Sequence, residues 1–160
     1  MGSGTARTSI ALLREPLKVA AVLPLLSDPR SGGVAIFVGR VRDDGEVPLS
    51  KRRRNGTVLV YEAYRPLALR ELKRLAGTAA LRFGARAIVI RHRIGTLRTG
   101  EPSVIIAVAC PHRKEAFAAC RFLIDRLKKE VPIWKTLETV EGSPSHGAVE
   151  LSGRRAGGRK

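Results

Sequence analysis

Three basic clusters carry residue types that handle anions. Gly39-Arg40-Val41-Arg42 closes a β-branched run, Pro111-His112-Arg113-Lys114 stands where an apolar run hands over to a helical pattern, and Lys128 and Lys135 flank Pro132-Ile133-Trp134. Side chains on a strand repeat every two residues, so Arg40 and Arg42 are expected on one face. His112 and Arg113 open a helix, where unsatisfied N–H groups and the helix dipole favour a phosphate. Arginine adds a fixed fork of donors suited to that group. Lys128 falls at the rim of its helix's apolar stripe, and partial desolvation there would make its amine a usable base or nucleophile. A buried Trp134 would hold Lys135 in one place. Each cluster alone is also compatible with solvated surface.

Other chemistries find little support. Glu62, Asp125 and Glu138 are scattered, so no carboxylate pair stands beside the clusters, which argues against a glycosidase or a divalent-metal enzyme. Cys110 and Cys120 form no CxxC, and no zinc-ligand spacing links them to His92, His112 or His146. They read as small buried residues in a reducing compartment. No metal and no cofactor is expected, and no GxGxxG, Walker or GxSxG motif occurs. The 30 Lys+Arg against 14 Asp+Glu give a net charge of +16, which implies an anionic substrate or partner. Nucleic acid is the default guess for such a balance. Aromatic residues at 4%, without basic–aromatic interleaving, count against it. The longest apolar run, Val104 to Cys110, is strand-sized and too short for a membrane span. The first residues lack a signal-peptide pattern, and Ala6 breaks the myristoylation motif, so a cytoplasmic chain is expected.

The elements that must position these clusters follow from periodicity. With 160 residues and 44% hydrophobic content, one catalytic domain over 1–150 is expected, with a mobile basic loop at about 43–56 and a disordered basic tail at 151–160. Strands are predicted at Thr8–Leu13, Val34–Arg42, Thr57–Tyr64, Ala85–Gly95 and Ser103–Cys110, the last apolar on both faces and therefore central. A short helix is predicted over Glu15–Leu26. Longer ones are predicted from Pro66 to a Gly84 cap and over Pro111–Glu130, the latter with a buried stripe of Phe117, Cys120, Ile124, Leu127 and Val131. This order gives an α+β fold, with two long helices packed on one face of a mixed sheet.

The stretches GGVAIFVGRVRD, LVYEAY before a helix, IVIRHRIGTLRTGEPSVIIAVACPHRKEAFAAC and FLIDRLKKEVPIWK occur in this order from Gly32 to Lys135. Together they resemble the large, catalytic subunit family of molybdopterin synthase (MoaE type). The resemblance implies a hammerhead α+β fold, a homodimer, and a small ubiquitin-like partner subunit with a C-terminal Gly-Gly thiocarboxylate. It implies transfer of sulfur, in two rounds, to cyclic pyranopterin monophosphate to make the molybdopterin dithiolene. It assigns the catalytic lysine to Lys128 and a second active-site lysine to Lys135. Substrate binding falls to Arg40, Val41, Arg42, His112, Arg113, Lys128, Lys135 and Thr136.

The chain departs from the family pattern in three places. The acid after the Trp-Lys pair is displaced to Glu138, the loop at 43–56 is longer and more basic, and the sequence after Gly142 is unlike the family. Arg154 and Arg155 are candidates for an arginine that the family supplies across the dimer. Two readings compete with the enzyme: a basic nucleic-acid-binding domain, and a homologue that keeps partner binding without turnover.

Overall fold

The computed structural model describes residues 6–42 and 58–138. The strands are β1 (Arg7–Leu13), β2 (Gly33–Arg40), β3 (Val58–Ala63), β4 (Ala87–Arg93), β5 (Gly95–Arg98), β6 (Pro102–Cys110) and β7 (Ile133–Glu138). The helices are α1 (Arg65–Phe83) and α2 (Arg113–Glu130).

These strands build two sheets where the periodicity predicts one. The larger runs β1-β4-β6-β2 and is mixed, because β1 pairs parallel with β4 while the other neighbours are antiparallel. The smaller is antiparallel, in the order β5-β3-β7. The predicted Ala85–Gly95 strand divides at its end. Gly95 has φ of 92°, a left-handed conformation open to glycine, and there the chain leaves the large sheet to start β5 in the small one. β7, which no periodicity announced, pairs with β3 from Val58–Glu138 to Ala63–Ile133.

Both long helices lie on one face of the large sheet. Leu72 and Leu75 of α1 and Leu123 and Leu127 of α2 meet Ile88, Ile90, Ile106 and Val108 there. α1 begins with a proline in its first turn and ends at Gly84, whose φ is 63°. β6 is central, and every residue from Ser103 to Cys110 is buried. Cys110 and Cys120 are buried free thiols, each pushed up to about 11 by loss of solvent, as inert core residues should be.

The opposite face of the sheet is covered by the 15–26 segment. Instead of the predicted helix it makes two 3-10 turns, Val19–Ala21 and Leu23–Leu26. Pro24 removes a donor in mid-segment, and so short a stretch cannot nucleate an α-helix unaided. Its Leu17, Val22 and Leu26 still reach the core, against Ala87, Val89, Ile105 and Ala107.

Two predicted side-chain placements are corrected. Phe117, assigned to the buried stripe of α2, is 68% exposed, and Ala116, Ala119 and Leu123 take its place. Trp134 is 51% exposed, so it is no buried anchor. The loop at 43–56, the tail at 151–160, Arg154 and Arg155 lie outside the described residues.

Candidate active site

The C-terminal ends of β2 and α2 converge with the start of β7 on a cavity of about 460 Å³. That volume suits a small-molecule substrate. β2 and the residues after it supply Arg40, Val41 and Arg42, α2 supplies Lys128, and β7 supplies Lys135. No carboxylate is among the described lining residues, and four cationic side chains, Arg40, Arg42, Lys128 and Lys135, line the space.

Each cation is placed by a local device. The pairing of β2 with β6 slips at Gly39/Arg40, a bulge that re-aims the strand end. A Cβ at Gly39 would stand 2.7 Å from Val104 Cγ1, so only glycine lets the strand approach so closely. Val41 is buried, and its N–H donates to the Glu101 carbonyl at 3.0 Å while its own carbonyl accepts from Gly100 N–H at 2.7 Å. The β5–β6 turn thus holds the residue between the two arginines. Glu101 braces that turn by accepting from Arg98 N–H at 2.7 Å and from Arg93 at 3.1 Å. These donors, the Arg98 N–H first, hold its carboxyl below the usual carboxylate range.

Lys135 sits opposite Tyr61 in the β3–β7 ladder. Residues directly opposite share a face, so sheet pairing presents both to the cavity. This replaces the expected tryptophan anchor. Thr136 alternates to the other face of β7 and does not line the cavity. Lys128 is on the last turn of α2 and is exposed in the single chain, so the desolvation expected at the stripe's rim is not provided by this chain's own residues. Glu130, two residues on, accepts from Arg126 at 2.5 Å and from Arg74 of α1 at 2.6 Å, which ties that helix end to α1.

Tyr61 and His92 are among the lining residues that the sequence reading did not assign to the site. They pack edge to face in the cavity wall, with centroids 5.5 Å apart. Burial lowers His92 to about 4, so its imidazole is neutral at physiological pH. Nδ1 lies 2.8 Å from the Arg93 carbonyl, which can only accept, so Nδ1 carries the proton and Nε2 is the bare nitrogen. The signal was the alternation of β4, which sets His92 on the same face as Ile88 and Ile90.

His112 and Arg113 are not brought to this cavity. They stand exposed at the start of α2, beside Gly33, where a Cβ would meet Arg113 Cα at 3.0 Å. Lys128 lies fifteen helical steps after Arg113, about 22 Å at the α-helical rise. Among the described residues no cluster of three or more His, Cys, Asp or Glu could hold a metal, and no helix is long and apolar enough to cross a membrane.

Fold and cavity together define an α+β protein with a cavity lined by lysines and arginines. The family model described as MoaE protein matches residues 12–130. The molybdopterin synthase catalytic subunit of Nostoc sp. is 41% identical over 152 residues, covering 91% of this chain and 87% of that protein. The crystal structure of molybdopterin synthase from Staphylococcus aureus superposes with a TM-score of 0.68 at 32% identity, covering 85% of this chain and 93% of that one. A complex of subunits 1 and 2 of molybdopterin-converting factor from Helicobacter pylori has the same fold, with a TM-score of 0.62 at 21% identity over 81% of this chain and 83% of that one. The chain belongs to the MoaE family, the catalytic subunits of molybdopterin synthase.

Proposed function

We propose that the cavity is where sulfur passes from the C-terminal thiocarboxylate of a small ubiquitin-like subunit to cyclic pyranopterin monophosphate, in the cytoplasm. The observation that carries this reading is the convergence of Lys128, Lys135, Arg40 and Arg42, from three separate segments, on one cavity without a lining carboxylate. Both reactants are anions, and a cationic, partly enclosed site attracts and orients them. Lys128 acts as the reacting amine, by proton transfer or transient covalent attachment, and docking of the partner's tail supplies the desolvation it lacks in the single chain. Lys135, Arg40 and Arg42 hold the phosphate and stabilise charge that develops on the transferring group. Neutral His92 offers a hydrogen-bond acceptor to the N–H edge of a pterin. Val41 and Thr136 serve through backbone position. His112 and Arg113 join the site from a second copy of the chain, because their own cavity is too far away.

The test is reconstitution. The chain is mixed with a small subunit bearing a C-terminal thiocarboxylate and with the cyclic pterin, and molybdopterin is followed as its fluorescent oxidised derivative. Product is expected. A folded chain that binds the small subunit and yields none would sink the reading in favour of a turnover-deficient homologue. A chain that binds nucleic acid in place of the subunit would sink the family assignment of its partner.

A further inference from the structure

We propose that His92 selects the oxidation state of the pterin: its bare Nε2 accepts from a ring N–H that the reduced ring carries and the oxidised ring lacks. This selection rests on the reading of the cavity given above, to which it adds a specificity-determining residue.

The imidazole is built into the site. His92 is 4% exposed and lines the cavity. Its Nδ1 is engaged 2.8 Å from the Arg93 carbonyl. The peptide unit that bears this carbonyl is itself anchored, because its N–H, from Ile94, donates to the Leu13 carbonyl at 2.8 Å. The opposite tautomer would aim a lone pair at the carbonyl oxygen, so the proton stays on Nδ1. Tyr61 packs edge to face on the ring and limits its rotation. Among the described residues none donates to Nε2. A polar atom on so buried a side chain needs a partner, and a ligand in the cavity can supply one.

The ring cannot become a donor by taking up a second proton. Burial opposes it, and so do the charged groups that line the cavity, which are Arg40, Arg42, Lys128 and Lys135. Two neighbouring polar groups have their protons committed as well. Ser103 Oγ donates to the Gly39 carbonyl at 3.3 Å, and the Val41 N–H to the Glu101 carbonyl at 3.0 Å. This wall therefore favours a ligand edge that donates.

The fold decides which edge that is. Tyr61 stands opposite Lys135 in the β3–β7 ladder and packs on His92, so the imidazole is one side chain away from Lys135. In a reduced pyranopterin the N–H groups that oxidation removes lie on the central ring, beside the carbons that receive sulfur. The pyrimidine N–H and the amine lie at the far end. A pterin held at the cations by its phosphate thus brings its central ring to His92. Full oxidation leaves both nitrogens of that ring bare. One of them would then face Nε2, two acceptors shielded from water with no proton between them. A site built to hydrogen-bond one group rejects an analogue that lacks it far better than apolar contacts do. Both forms carry the same phosphate, so a change of their affinity ratio in a His92 variant isolates the ring contact.

The full chain, without the small subunit so that no turnover occurs, is titrated anaerobically with cyclic pyranopterin monophosphate and separately with its fully oxidised form. Wild type and His92→Gln are compared. Glutamine is neutral and can donate through its amide as well as accept. Wild type is expected to bind the reduced form about tenfold or more tightly than the oxidised one. His92→Gln, matched to wild type by circular dichroism, should narrow the ratio to within about threefold. Ring-nitrogen shifts of isotope-labelled histidine are read by NMR on wild type, a measurement that needs no variant to fold. Nε2 should be unprotonated in the free chain, and should shift with the reduced ligand but not with the oxidised one. Equal binding of the two forms by wild type overturns the selection. So does an unchanged ratio in folded His92→Gln, or an Nε2 that carries the proton or ignores the reduced ligand. Each of these leaves the reading of the cavity standing. Binding of neither form by wild type sinks that reading and the selection with it.

Discussion

His92 and Lys128 line the same cavity under opposite conditions, one buried and neutral, the other exposed on a helix end. His92 sits at about 4 in the folded chain against an ordinary 6.5 when unfolded. Between those values the unfolded chain binds the extra proton, so stability falls as pH drops from 6.5 towards 4. The full loss is about 3 kcal/mol for a shift of this size. His92→Gln should flatten this part of the stability–pH curve in urea titrations, and an unchanged slope would contradict the burial argument. Lys135 should act mainly in binding. Lys135→Ala is expected to raise KM for the cyclic pterin about 10- to 100-fold, as loss of a charge-assisted hydrogen bond does, with a smaller change in kcat. That Arg40, Arg42, Lys128 and Lys135 gather at one place was legible from residue type and order, whereas Arg113, also predicted there, lies away from the cavity. His92 and Tyr61 were not legible, because their proximity arises only when the two sheets are brought together.

At the scale of elements, the β5–β6 turn is the part that sets the arginines. Gly100 has φ of 88°, Glu101 binds Arg98 and Arg93, and the same turn bonds both sides of Val41. Glu101→Ala leaves the Arg93 guanidinium, whose side chain is 10% exposed, without its carboxylate. A cost of about 2 kcal/mol is expected, seen as a lower urea midpoint, together with weaker substrate binding through Arg40 and Arg42. Gly39→Ala should destabilise by about 1–3 kcal/mol, because its new methyl meets the buried Val104. A variant as stable as wild type would show that the strand end has room. β6 and α1 were readable, the first from apolar residues on both faces, the second from Pro66 and Gly84. β7 was not, since its partner β3 lies some seventy residues earlier and Pro132 reads as a stop. Phe117 was misassigned for a related reason. Helical spacing puts Phe117 near the stripe, but the helix turns Ala116, Ala119 and Leu123 to the core instead.

For the whole molecule, the proposed function makes the net charge of +16 and the cationic cavity act together on anionic reactants. kcat/KM for the cyclic pterin should fall as salt rises while kcat changes less, because screening weakens capture more than chemistry in an enclosed site. The proposed supply of His112 and Arg113 by a second copy predicts complementation. Lys128→Ala and Arg113→Ala chains, each inactive alone, form mixed dimers in which one cavity draws Lys128 and Arg113 from intact copies. About a quarter of wild-type activity should return on mixing if subunits exchange freely, and no recovery would contradict a site shared between copies. The most direct measurement is the single-turnover rate of sulfur transfer in Lys128→Ala at saturating cyclic pterin and thiocarboxylated small subunit. Lys128 is exposed and leaves no packing defect, so the variant should melt like wild type and lose about 100-fold or more of the rate. A variant that melts like wild type and turns over at the wild-type rate would contradict the assignment of the chemistry to this cavity's lysine.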